Sequence, residues 1–224
     1  MATWVVTGAN RGIGLAFARA LAGRGESVIG TARRPGFAGE LGGTGARVEE
    51  LDVAKDASVA EFARRLEGVP VDVLIHNAAV GEAGSSIRDL DLDLVLRTLD
   101  VNSVGPLRVT RALLPNLRAG RSRKIVGITS GLGSLSENSD GGWYAYRMSK
   151  AALNMFVRTL AEELARERFT CVAICPGWVK TAMGGPGARL TPDASVAAML
   201  GVIDRLKPSD TSRFLDRLGQ DVPW

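Results

Sequence analysis

Thr3-Trp4-Val5-Val6-Thr7 runs directly into Gly8-Ala9-Asn10-Arg11-Gly12-Ile13-Gly14 and then Leu15-Ala16-Phe17-Ala18-Arg19-Ala20-Leu21. The first five residues read as an apolar strand. Gly12–Ala22 carries Ile13, Phe17 and Leu21 at helical spacing. The glycines between strand and helix serve different purposes. Gly8 permits a tight turn, Gly12 lets the backbone approach a pyrophosphate, and Gly14 allows close helix–strand contact. The helix N-terminus adds free N–H groups and the positive end of its dipole. The spacing is G-x-x-x-G-x-G, and its position after the first strand points to dinucleotide binding.

The rest of the chain repeats the alternation. Strands are expected at Ser27–Ala32, Arg47–Leu51, Val71–Ile75, Lys124–Thr129, Thr170–Cys175 and Arg213–Leu215. Helices are expected at Ser58–Leu66, Leu92–Leu117 (with Gly105-Pro106 inside it), Tyr146–Arg166 and Asp193–Arg205. Gly36–Gly45 reads as a surface loop. Alternating β and α predicts a parallel sheet covered by helices on both faces. The expectation is one α/β domain over residues 1–224: a doubly wound Rossmann domain with a seven-stranded sheet in the order 3-2-1-4-5-6-7.

Composition excludes several classes. The chain of 224 residues is 46% hydrophobic and 23% charged, with a net charge of +4, which fits a globular domain rather than a disordered one. No apolar run approaches the ~18–20 residues of a membrane span. Met1-Ala2-Thr3-Trp4 has no basic leader segment, and a cytoplasmic location is expected. Cys171 and Cys175, four residues apart on one strand, should have α-carbons roughly 13 Å apart and remain free thiols. A single histidine, His76, leaves no zinc spacing, so no metal is expected; it reads as a packed side chain. Arg118, Arg121, Arg123 and Lys124 lack interleaved aromatics and read as a solvated loop, with no nucleic-acid partner. Gly127-Ile128-Thr129-Ser130-Gly131 misses the serine-hydrolase pattern by one residue.

A second chemical signal is Tyr146-Arg147-Met148-Ser149-Lys150. Positions i and i+4 share a helix face, so phenol and ammonium can meet. A nearby cation favours the phenolate, which suits a general acid or base. Tyr144, the other tyrosine, points elsewhere on the helix.

These residues, with Asn77-Ala78, Val101-Asn102-Ser103-Val104-Gly105, Ser130 and Pro176-Gly177 in order, resemble the short-chain dehydrogenase/reductase family over essentially the whole chain. Gly131–Ser134, Asp140–Arg147, Arg213–Asp216 and Val222-Pro223-Trp224 resemble its C-factor and sniffer-type branch. The resemblance implies hydride transfer between a nicotinamide and a small-molecule carbonyl or alcohol. In it Tyr146 would donate the proton, Lys150 would bind ribose and lower the Tyr146 pKa, Ser130 would orient the carbonyl, and Asn102 would hold a relay water. It implies cofactor contacts from Gly8, Asn10, Arg11, Gly12, Ile13 and Gly14, from Arg33, Asp52 and Val53, from Asn77, Ala78 and Ala79, and from Pro176, Gly177, Val179 and Thr181. It also implies a homodimer or homotetramer paired through the Leu92–Leu117 and Tyr146–Arg166 helices. The C-factor branch raises an alternative: a signalling or interaction protein whose nucleotide is mainly structural.

Three departures matter. Ala79 replaces a family glycine. Ser130 lies 16 residues before Tyr146 and Ser134 lies 12 before it; Ser130 is assigned because it ends a strand run, with Ser134 as fallback. Only Trp178–Leu190 stands where the family often has a longer lid, which implies an open site. Strand two ends on Arg33-Arg34, with no acidic residue between Ser27 and Gly39. An acid there would bind the ribose 2′-hydroxyl and repel a 2′-phosphate, so Arg33, with Arg11, predicts NADP(H) over NAD(H).

Overall fold

Successive side chains of strand β1 (Thr3–Val6) enter opposite halves of the core. Trp4 and Val6 join Phe17 and Leu21 on one face of the sheet, while Val5 joins Leu113 and Leu117 on the other. This two-sided burial is why Trp4, Val5 and Val6 are all apolar. The computed structural model describes residues 1–81 and 86–224. Its further strands are β2 (Ser27–Ala32), β3 (Arg47–Glu50), β4 (Val73–His76), β5 (Lys124–Ile128), β6 (Thr170–Cys175) and β7 (Arg213–Asp216). All neighbours pair in parallel, in the order β3-β2-β1-β4-β5-β6-β7. The chain is a single Rossmann-like domain with helices on both faces of the sheet. The connections run outward to β3 and then return to β4, which leaves a crevice at the carboxyl ends of β1 and β4.

Helices α1 (Gly12–Gly23) and α6 (Pro192–Arg205) cover one face. Helices α2 (Asp56–Arg65), α4 (Gly105–Ala119) and α5 (Tyr144–Glu163) cover the other. Among the described residues no helix is long and apolar enough to cross a membrane. Cys171 and Cys175 are free thiols.

Several element bounds move by one or two residues, and three differences have a clear physical cause. The expected helix over Leu92–Leu117 is interrupted: α3 (Leu92–Leu99) passes through a widened π-turn at Asp100–Val104 before α4 begins. Pro106 brings no N–H for the carbonyl of Asn102, four residues back, so the regular ladder cannot pass through. Gly36–Gly45, expected as a surface loop, is largely exposed, and it is ordered into two short 3₁₀ turns that bury Leu41 beneath β2. A side chain at Gly30 would stand 2.9 Å from Leu41 Cδ1, so that glycine makes room for it. Helix α5 begins two residues earlier than expected, at Tyr144, because Gly141, Gly142 and Trp143 all adopt left-handed backbone and turn the chain into it.

Candidate active site

The carboxyl ends of the strands open into a cavity of about 740 Å³. Gly8, Asn10, Arg11, Gly12 and Ile13 form one wall. Gly8 has φ 65°, and a Cβ on it would stand 2.9 Å from Ala78 Cα. A Cβ on Gly14 would meet the Gly8 carbonyl oxygen at 2.3 Å and Asn77 Nδ2 at 2.5 Å, so helix and loop touch with no space for a side chain. At Gly12 a Cβ would crowd Thr181 Cγ2 at 3.2 Å.

Asn77 and Thr7 hold this loop. Asn77 Nδ2 donates to the carbonyls of Thr7 and Gly8 at 2.9 and 3.0 Å. The Thr7 hydroxyl accepts from the backbone N–H groups of Asn77 and Ala78, each at 3.0 Å. Thr7 escaped the sequence reading because it looks like the last residue of a strand. Ala78 and Ala79 continue the wall, and Asp52, Val53, Arg33 and Arg34 close its far end. Pro176 and Thr181 also line the cavity.

Of the expected residues, Gly14, Asn102, Ser130, Gly177 and Val179 are not among those that line the cavity. Gly14 packs behind the loop. Gly177, at φ 77°, makes the turn after β6 against Leu190, and buried Val179 pairs with Leu190. The short lid is pinned: Lys180 N–H donates to Leu190 O at 2.8 Å, and Trp178 Nε1 donates to Gly184 O at 2.8 Å. Arg97 and Lys180 also line the cavity. Arg97 was legible only as the residue one turn before Val101 on the same face.

The residues present suit an anionic dinucleotide. Helix α1 has no side-chain cap at its N-terminus and no acid in its first turn, whereas Asp91 caps α3 and Thr191 caps α6. Its first N–H groups therefore remain for a phosphate. Arg11, Arg33, Arg34, Arg97 and Lys180 face the same space against one acid, Asp52.

At the other end of the cavity stand Tyr146 and Lys150. Lys150 Nζ lies 5.6 Å from the centre of the Tyr146 ring and donates to Ile128 O at 2.8 Å. Burial lowers the Lys150 pKa to about 8. The Tyr146 phenol is pushed up to about 12 by burial, against a hydrogen bond with the Ser130 side chain that lowers it. This corrects the expectation that the lysine lowers the tyrosine pKa: loss of hydration outweighs the other influences, and the ammonium is directed to the Ile128 carbonyl.

Ser130 starts a 3₁₀ turn at Gly131–Gly133, its hydroxyl accepting from Leu132 N–H at 3.2 Å. Ser134 is directed away; its hydroxyl donates to Pro223 O at 2.7 Å. Asn102 sits in the π-turn with its side chain paired to both backbone groups of Val80 at 2.8 Å, and Nδ2 also donates to Ser149 Oγ at 3.0 Å. Cys175, closing β6, accepts from Gly131 N–H at 3.2 Å, and burial pushes its thiol up. His76 is a core residue: its Nε2 lies 2.7 Å from Thr110 Oγ1, and burial lowers its pKa to about 3.

The family model for short chain dehydrogenase matches residues 2–189. The chain belongs to the short-chain dehydrogenase/reductase family. As a member of that oxidoreductase family it is similar to the C-signal of Myxococcus xanthus, with 51% identity over 163 residues, covering 73% of this chain and 98% of that protein. Among solved structures it resembles the carbonyl reductase Sniffer of D. melanogaster, at 31% identity and TM-score 0.95 over 100% of both chains. The NADPH-bound carbonyl reductase from chicken fatty liver matches at 32% identity and TM-score 0.92, covering 100% of this chain and 99% of that one.

Proposed function

We propose that this short-chain dehydrogenase/reductase reduces a carbonyl compound with NADPH, or runs the reverse alcohol oxidation with NADP. The observation that carries the reading is the pair Tyr146 and Lys150 lining a cavity that Arg11, Arg33, Arg34, Arg97 and Lys180 also line, with the Ser130 side chain hydrogen-bonded to the Tyr146 phenol. When bound, the nicotinamide supplies the hydride. The chain's own residues supply the proton and the orientation. With its pKa near 12, the Tyr146 phenol is protonated at neutral pH, the form an acid needs before it donates to a developing alkoxide. The Ser130 hydroxyl, already bonded to that phenol, orients the carbonyl oxygen toward it. Lys150 holds a ribose hydroxyl. Asn102 holds a water that reprotonates the pair, a role supported by its carbonyl's position four residues before Pro106.

Arg33 and Arg11 support NADP(H) over NAD(H), since a guanidinium binds a 2′-phosphate with charge-assisted hydrogen bonds. The short, pinned lid supports a broad range of substrates. Free thiols support a reducing, cytoplasmic location. Exposed Leu92, Leu96, Leu107, Met148 and Met155 on α3, α4 and α5 support a homodimer or homotetramer. The test is a screen of aldehydes, ketones and quinones with NADPH, and of secondary alcohols with NADP, read at the nicotinamide absorbance. Turnover of at least one class is expected; none across the screen overturns the reading.

The 51% identity with a C-signal favours a second reading, in which signalling is the biological role. Gly12→Asp separates the two. Its side chain would crowd Thr181 and bring negative charge to the phosphate site. Nucleotide binding and any cellular activity are expected to fall together. A folded variant that keeps full cellular activity without nucleotide makes signalling the role.

A further inference from the structure

The stretch Val222–Trp224 lies against the segment that leaves Ser130. Val222 N–H donates to Phe214 O at 2.8 Å, and the Trp224 ring packs on Phe214 at 5.5 Å between centroids. The Arg158 guanidinium sits 5.4 Å from the centre of the Trp224 ring. Backbone oxygens of this stretch then take hydrogen bonds from residues just downstream of the serine. The Ser134 hydroxyl donates to Pro223 O at 2.7 Å, and Ser136 donates to Trp224 O through its N–H at 3.1 Å and its hydroxyl at 2.9 Å. Ser134 is 2% exposed and its oxygen also accepts from Glu137 N–H at 3.2 Å, so its place is fully defined.

On the near side the turn has no slack. A Cβ on Gly133 would stand 2.8 Å from Lys150 Cβ and 2.9 Å from the Lys150 carbonyl carbon. Asn154 Nδ2 donates to Gly133 O at 3.2 Å. Ser130, the 3₁₀ turn and Ser134 are therefore one short rigid piece, pressed on α5 at Lys150 and tied at its outer end to Pro223 and Trp224. Rotation of that piece would carry the Ser130 hydroxyl off the Tyr146 phenol.

We infer that Pro223 and Trp224 form a strap that positions Ser130 against Tyr146, with Trp224 as a positioning residue for the reaction. The inference rests on the roles proposed above for Ser130 and Tyr146. The variants are Trp224→Ala, Trp224→Phe, Ser136→Ala and Tyr146→Phe in the full chain. Three quantities are measured: amide hydrogen exchange over residues 131–137, NADPH affinity, and kcat and KM with 4-nitrobenzaldehyde as probe. For Trp224→Ala, faster exchange at 131–137 is expected, with kcat down about ten- to a hundredfold, the scale of a misplaced catalytic group. KM and NADPH affinity should change little, and Trp224→Phe should recover most of kcat. A change in general stability alone would not produce that split or that recovery.

Ser136→Ala, at an exposed position, removes one bond and leaves the Phe214 contact intact. It is expected to move exchange and kcat in the same direction by less, and it decides the matter if Trp224→Ala does not fold. Wild-type exchange at 131–137, or faster exchange with wild-type kcat, overturns the strap. If the probe is not turned over, exchange alone decides. Wild-type kcat in Tyr146→Phe brings down the reading of the site and leaves the exchange result standing.

Discussion

Asn77→Ala removes the only side-chain donors that the described residues bring to the Thr7 and Gly8 carbonyls, at 2.9 and 3.0 Å. Each such bond is worth about 0.5–1.5 kcal/mol net, so the pair contributes about 1–3 kcal/mol. For a domain of this length each kcal/mol moves Tm by about 2–4 °C, giving a loss of roughly 2–12 °C. The glycine loop is the part released. If re-forming it on binding costs about 1 kcal/mol, NADPH affinity falls about fivefold. Asn77→Asp should be worse than Asn77→Ala, because a carboxylate would face two carbonyl oxygens with no donor. The introduced carboxyl would have a raised pKa in the folded state. Its extra destabilisation should therefore grow as pH rises through the carboxyl range and shrink below it. The assays are urea unfolding, compared by midpoint at equal slope, and NADPH titration by fluorescence. A wild-type midpoint and affinity in Asn77→Ala would refute the role given to this side chain. So would an Asn77→Asp variant more stable than Asn77→Ala at neutral pH.

Arg33→Ala should weaken NADPH while leaving NADH nearly unchanged; equal wild-type affinities for the two cofactors would show that Arg33 does not read the 2′-phosphate. Lys150 has a folded pKa near 8 against an ordinary value of 10.5, so the unfolded chain holds more protons between those values and folding stability rises with pH there. Urea titrations across that window should show the stability of Lys150→Met relative to wild type falling as pH rises; a constant difference would mean the lysine is not destabilised by burial.

The glycine loop and the strand order were legible because both rest on local rules. A side chain at Gly8 or Gly14 has nowhere to go, and strands with apolar residues at consecutive positions must be buried on both faces. The break in the expected helix over Leu92–Leu117 was harder to see. Gly105-Pro106 was visible, but the π-turn also depends on Asn102 reaching Val80, a contact made only in the folded chain. The direction of the Tyr146 pKa was misread for a similar reason. Spacing places Lys150 beside the phenol, yet burial and the Ile128 carbonyl decide what the ammonium does. Spacing alone also left Ser134 open beside Ser130, because its partner Pro223 lies 89 residues away in sequence.

Tyr146 is the proposed proton donor of an NADPH-dependent carbonyl reduction. Its most direct test is the single-turnover rate of NADPH oxidation in Tyr146→Phe and Tyr144→Phe, with NADPH affinity measured separately in each. A loss of about 10²–10⁴ in rate is expected for Tyr146→Phe, with affinity within a few-fold of wild type and Tyr144→Phe close to normal. A Tyr146→Phe enzyme that reduces its substrate at the wild-type rate, or a dead Tyr144→Phe beside it, would show that Tyr146 is not the donor.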